Sequence, residues 1–185
     1  MDDKVKGNVL VCTDDVGVCK IKLVGSVRYD SSMKGFMDFV KAEIIDKDIE
    51  DVIIDMRDCE YIDSSDIGVL AQIGLTQQEK GAKKPIIIYS GPKEASSVLQ
   101  AITDVNVNSL FEIFVDAEVG NDNYNELKNS YCNQHEFSKL MYKNHKLLSD
   151  LNESNRKRFE SVLKYLGESA SLSDRKTKHI PKITK

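Results

Sequence analysis

The sequence predicts an α/β domain: a mostly parallel β-sheet that opens with a β-hairpin, helices packed on it, and a C-terminal helical extension. Three observations carry this expectation. Short apolar runs of strand type stand at Asn8–Thr13, Asp51–Met56, Ile86–Tyr89 and Glu112–Val115. Between the later runs, apolar residues recur at helical spacing. Alternation of strands and helices implies helices on a largely parallel sheet with right-handed crossovers. From about Asn133 the pattern changes to one long helical stripe.

The elements follow in order. After Asn8–Thr13, Asp14–Gly17 supplies turn chemistry, with Gly17 able to take a positive φ. Cys19, Ile21 and Leu23 then alternate with Lys20, Lys22 and Val24, a period of two that gives one buried and one largely wet face. Ser31 or Ser32 caps the next segment, where Met33, Phe36, Met37, Val40 and Ile44 share a helical face. Asp51–Met56 is β-branched and apolar, as expected of a strand covered on both faces, and a polar loop is expected after it. Asp63-Ser64-Ser65-Asp66 is a dense group of helix-capping residues. Ile67, Leu70, Ala71 and Gly74 mark the helix it opens, which ends near Gly81. Pro85 introduces the strand Ile86–Tyr89, and Gly91-Pro92 reads as a turn. Ala95, Val98, Leu99 and Ile102 define a third helix, and Glu112–Val115 reads as the last strand. The order is ββαβαβαβ.

Beyond this domain, Phe137, Leu140, Met141, Leu147, Leu148, Leu151, Phe159, Val162, Leu163 and Leu166 lie on a helical stripe. Ser149–Asn155 interrupts it with weak helix formers. The segment is either one long helix or a helical hairpin bent near Asn152–Asn155. Its apolar face needs a partner surface in the domain, a second copy or another protein. The expected organisation is a domain over residues 1–120, a helical extension over 121–168 and a disordered basic tail over 169–185.

Composition is that of a globular protein, with 41% hydrophobic and 30% charged residues. No apolar run approaches the ~20 residues needed to span a bilayer, and the acidic start lacks an apolar export core. Cys12, Cys19, Cys59 and Cys132 show no metal-binding spacing. Cys12 and Cys19 could face each other across the hairpin, but without an export signal the expectation is reduced thiols and a cytoplasmic location. Residues 1–133 carry 14 Lys and Arg against 24 Asp and Glu, a net of −10; residues 134–185 carry 12 against 6, a net of +6. An acidic domain of this kind argues against nucleic-acid binding through the phosphate backbone.

Signals for catalysis are poor, and no catalytic residue, cofactor or metal is expected. His135, His145 and His179 all lie beyond the domain, and no Gly-rich phosphate loop is present. The carboxylates Asp55, Asp58, Glu60, Asp63 and Asp66 could hold a cation, but without calcium-loop spacing they read better as a charged docking surface. Asp55 at a strand end is also where a response-regulator receiver carries its phosphoacceptor. Such a receiver needs an acidic pair after its first strand, whereas Asp14 and Asp15 sit in the hairpin turn.

The stretch Val52–Met56, followed by Tyr61-Ile62-Asp63-Ser64-Ser65-Asp66-Ile67-Gly68-Val69-Leu70, resembles the signature of STAS domains, the module of anti-sigma factor antagonists. The element order agrees over about residues 5–120. The resemblance implies a non-enzymatic binding module of a bacterial partner-switching pathway that controls transcription. Its serine before the usual Gly is phosphorylated by a partner kinase; by position that is Ser65, with Ser64 as the alternative. The implied partners are a serine kinase-like anti-sigma factor and a phosphatase, docking on Asp63, Ser64, Ser65, Asp66 and Ile67. A hydroxyl at a helix N-terminus is expected to be exposed, and a phosphate there is tolerated by free amides and the helix dipole. Asp66 stands where the family has Gly, which places a carboxylate beside Ser65. The rival expectation is a scaffold subunit that forms homo-oligomers through the C-terminal helices.

Overall fold

The computed structural model describes residues 7–14, 17–28, 32–47, 49–91, 96–120, 123–127, 130 and 132–177. The chain divides into two compact units, Met1–Tyr131 and Cys132–Lys185. The first is an α/β unit built on a mixed six-stranded sheet of order β5-β4-β3-β2-β1-β6.

Strands β1 (Asn8–Thr13) and β2 (Cys19–Val27) form the expected antiparallel hairpin. Asp14 closes it, accepting from the Val18 N–H at 2.9 Å, while Gly17 takes φ 87°. Asp15 lies outside the described residues. Cys12 pairs with Lys20 rather than Cys19, and both cysteines are free thiols. Strands β3 (Val52–Ile62), β4 (Ile86–Tyr89) and β5 (Glu112–Val115) then extend the sheet in parallel from β2.

Helices α1 (Ser32–Phe39), α2 (Ser64–Glu79) and α3 (Ser97–Asp104) occupy the crossovers. The Ser31 cap and Ala95 lie outside the described residues; Ser96 caps α3, its Oγ accepting from the Leu99 N–H at 3.1 Å. The core joins Ile21, Leu23, Ile54 and Ile87 of the sheet to Phe36, Val40, Ile44, Leu70, Ile73 and Ile102, all fully buried. Each such side chain contributes roughly 1.5–3 kcal/mol of transfer free energy.

Three features depart from the sequence pattern. After Phe39 the first helix widens into a π-turn over Val40–Ile45, whose end is closed by Asp46 N–H on Lys41 O at 2.9 Å. The end of α2 meets this region: Lys80, its C-cap, donates from Nζ to Ile44 O at 2.9 Å, and Gln77 Nε2 donates to Ile49 O, beyond the turn, at 3.0 Å. Second, residues 57–62, expected as loop, continue β3, because β2 runs on to Val27 and offers a ladder partner as far as Val27↔Ile62. Two register shifts accommodate this polar extension. Third, Glu112–Val115 is not the last strand. A two-residue strand β6 (Asn125–Glu126) pairs antiparallel with Leu10 and Val11 of β1, at the opposite edge of the sheet from β5. Its brevity and polarity left no periodic signal.

The second unit is a helical hairpin of α4 (Gln134–Asp150) and α5 (Glu153–Thr177), the bent form of the two alternatives. Asn133 opens α4 with a capping box completed by Glu136. At the bend, Asn152 Oδ1 accepts from Asn155 N–H at 2.8 Å, and the buried Asn155 amide donates to Leu148 O at 2.9 Å. His145 meets Phe159 edge to face at 5.5 Å, its Nδ1 lying 2.8 Å from Met141 O. Helix α5 continues past Glu168 to Thr177, into the stretch expected to be a disordered tail. The segment holds no Gly after Gly167 and no Pro before Pro181 to stop it.

Candidate functional site

The carboxyl ends of β2 and β3 lie side by side, with Val27 paired to Ile62. In parallel sheets this end is where loops and helix N-termini gather binding groups. The chain leaves β3 at the buried Ile62 and enters α2 through Asp63, whose extended backbone (φ −94°, ψ 171°) is that of an N-cap. Its Oδ1 accepts from Ser65 N–H at 2.9 Å and Asp66 N–H at 3.2 Å. The capping carboxylate thus already occupies the amides that an added anion would use.

This local geometry sorts the predicted site residues. Asp63 and Ser64 are half-buried. Ser65, Asp66 and Ile67 are 1%, 2% and 3% exposed. Ser65 is therefore not the accessible hydroxyl expected at a helix N-terminus. The second position of α2 turns inward, and the first, Ser64, reaches solvent. The five residues are contiguous, but only Asp63 and Ser64 contribute appreciably to the surface.

Beside them the sheet presents groups that the sequence pattern did not single out. Tyr61 is 44% exposed, and the exposed Arg28 guanidinium lies 4.7 Å from its ring centroid, a cation–π pair at the strand ends. Its only sequence signal is an aromatic residue two positions before the cap. Cys59 is half-buried, its Sγ 3.4 Å from Tyr61 O. Burial chiefly, with the charges of Asp66 and Glu60 adding and the Tyr61 hydrogen bond opposing, pushes its thiol up to about 12. It is thus protonated at neutral pH and not poised as a nucleophile.

The acidic residues upstream are individually engaged. Asp55, buried at 2% exposure, forms a two-pronged pair with Arg57 at 2.8 Å through Nε and 2.8 Å through Nη2. Arg57 also donates to Ala117 O at 3.3 Å, just past the end of β5. Burial alone would raise the Asp55 carboxyl, but the hydrogen bonds and charge of Arg57, with Lys22, outweigh it and hold the group below its ordinary value. Asp58 pairs with Lys22 at 2.7 Å, and Asp14 with Lys20 at 3.3 Å in the hairpin turn. No group of three or more potential metal ligands converges among the described residues. A separate cleft of about 300 Å³, lined by Val18, Asp51, Ile53, Lys84, Ile86 and Glu112, sits at the amino ends of the strands. Among the described residues no helix is long and apolar enough to cross a membrane.

The chain matches no protein-family model, and no curated protein matches it.

Proposed function

We propose that this chain is a STAS-like, non-enzymatic binding regulator, switched by serine phosphorylation at the start of α2 within a partner-switching pathway. The observation that carries the reading is the half-buried Ser64, which reaches solvent directly after the capping Asp63, at the end of a parallel strand and beside the exposed Tyr61 and Arg28. The strand–helix order of the first unit and its Asp63–Asp66 motif support the same reading.

Ser64 rather than Ser65 is the acceptor in this proposal. A kinase must bring the hydroxyl to a phosphate donor, and the 1% exposure of Ser65 forbids that without opening α2. Phosphorylation of Ser64 adds about −2 charge. That charge stands next to Asp63, whose carboxylate holds the first amides, so the phosphate is left on the surface and repels an acidic partner face. The unmodified surface binds a serine kinase-like regulator, and the phosphorylated surface releases it. Intact mass and peptide mapping across Cys59–Lys80, after reaction with the cognate kinase, test the assignment. Phosphate on Ser64 is expected, with Ser64→Ala retaining partner binding and Ser64→Asp losing it. Equal binding by the two variants would sink the switch.

A scaffold role is the second reading, favoured by the solvent-facing apolar groups of the helical hairpin. Tyr165 is 70% exposed, and Val162 and Tyr142 are 38% exposed each. Light scattering on the full chain and on residues 1–131 separates the two. An oligomer that truncation abolishes favours the scaffold, and monomers in both samples count against it.

A further inference from the structure

We infer that the outer edge of β5 is a second docking surface, which takes an extended cationic segment of a partner protein as an added β-strand. Strand β5 ends the sheet, and no described segment pairs with its outer side. The backbone shows which groups that edge offers. Glu112 and Asp116 donate inward to Pro85 O and Tyr89 O at 2.9 Å each. In a parallel ladder the bonding residues alternate, so the N–H and C=O groups of Ile113 and Val115 turn outward. An edge with open donors and acceptors is a template for another strand, and proteins that avoid pairing blunt it with lysine, proline or a bulge.

Here the edge carries none of those devices within Glu112–Val115. Phe114 and Val115, which point to opposite faces of the sheet, are each 44% exposed. An added strand would cover both, with its main chain supplying affinity and alternate side chains supplying selectivity. The charge around the edge specifies the occupant. Glu112, Asp116 and Glu118 are all exposed; Lys83 and Lys84 line the cleft beside Glu112, Lys83 pairing with Asp51 at 3.3 Å and Lys84 placing its ammonium on Ser109 O at 3.0 Å. A second copy pairing antiparallel about Phe114 would set Glu112 opposite the other Asp116, a repulsive pair. A strand with lysine or arginine flanking apolar residues meets complementary charge instead. The far edge of the sheet is already occupied by β6. The inference is independent of Ser64, which follows β3, two strands away.

The test uses the full chain and two labelled ten-residue peptides, one alternating lysine and valine, the other glutamate and valine. Fluorescence anisotropy reads binding, and amide hydrogen exchange reads the place. The lysine peptide is expected to bind, weakening as salt rises, and to slow exchange at Ile113 and Val115; the glutamate peptide is expected to bind at least about tenfold more weakly. Val115→Pro removes one outward donor without touching the ladder to β4, and should weaken lysine-peptide binding about tenfold. Should that variant fold poorly, Glu112→Lys keeps every backbone bond and should narrow the preference for the lysine peptide, since Asp116 and Glu118 remain. Equal binding of both peptides by the native chain, or equal lysine-peptide affinity in well-folded Val115→Pro, would overturn the inference. Protection of Ile113 and Val115 that rises with protein concentration and no peptide would overturn it too, by making a second copy the occupant.

Discussion

At the scale of single residues, the buried Asp55 is held by Arg57. Asp55 is buried but the Arg57 side chain is 28% exposed, so removing the guanidinium costs less than a fully buried pair would, on the order of 1–3 kcal/mol. Arg57→Leu should lower the urea-unfolding free energy at pH 7 by that order. The pH dependence follows from the direction of the Asp55 shift. Its folded value is depressed, so the pair's contribution is complete above about pH 4, the unfolded value, and is lost as pH falls through the folded one. In Arg57→Leu the guanidinium is gone, while burial still raises the carboxyl against the residue-57 N–H and Lys22, so the stability gap between the two proteins should narrow below about pH 4. A gap constant from pH 7 to pH 3 would refute the pairing. The pair was hidden in the sequence because residues 57–62 read as loop. Once they are strand, Asp55 and Arg57 fall two apart on one face. Ser65 illustrates the converse limit. Capping chemistry located the helix start to the residue, but which hydroxyl faces water depends on the rotation of α2 against the sheet, which composition does not record.

At the scale of elements, helix α2 carries a close contact. A Cβ on Gly74 would lie 2.6 Å from Leu110 Cβ, in the 3₁₀ turn Val107–Leu110. Gly74→Ala should therefore destabilise by about 1–3 kcal/mol through overpacking, even though alanine favours helix by up to about 1 kcal/mol. A thermal midpoint at or above the native one would show that the turn yields freely. In the helical hairpin, Asn155→Ala deletes the bond to the Leu148 carbonyl. It should cost about 1–3 kcal/mol, measured as earlier loss of helical circular dichroism on heating. Both elements were largely legible: the 3.6-residue stripe of α2 and the weak helix formers at 149–155 are plain in the sequence. The π-turn over Val40–Ile45 was not, since its apolar spacing fits an ordinary helix equally well. Its Ile44 carbonyl accepts from Lys80, distant in sequence.

At the scale of the whole molecule, every strand of the sheet belongs to the first unit. Residues 1–131 expressed alone should therefore unfold in one cooperative urea transition. A broad, non-cooperative loss of structure would mean that the fold needs the remaining chain. The parallel core of this unit could be read from alternation alone. Its closing strand could not, because β6 is defined only by a partner that lies almost the whole domain away.

That distance has a consequence during synthesis. Asn125 and Glu126 leave the ribosome long after the strand they cover, so the outer side of Leu10 and Val11 is unpaired on the nascent chain until nearly all of the first unit has emerged. In that interval the growing polypeptide has an open strand at each border of its sheet, the condition under which neighbouring chains on one message join by mistake. Slow translation just upstream of residue 125 would lengthen the exposure.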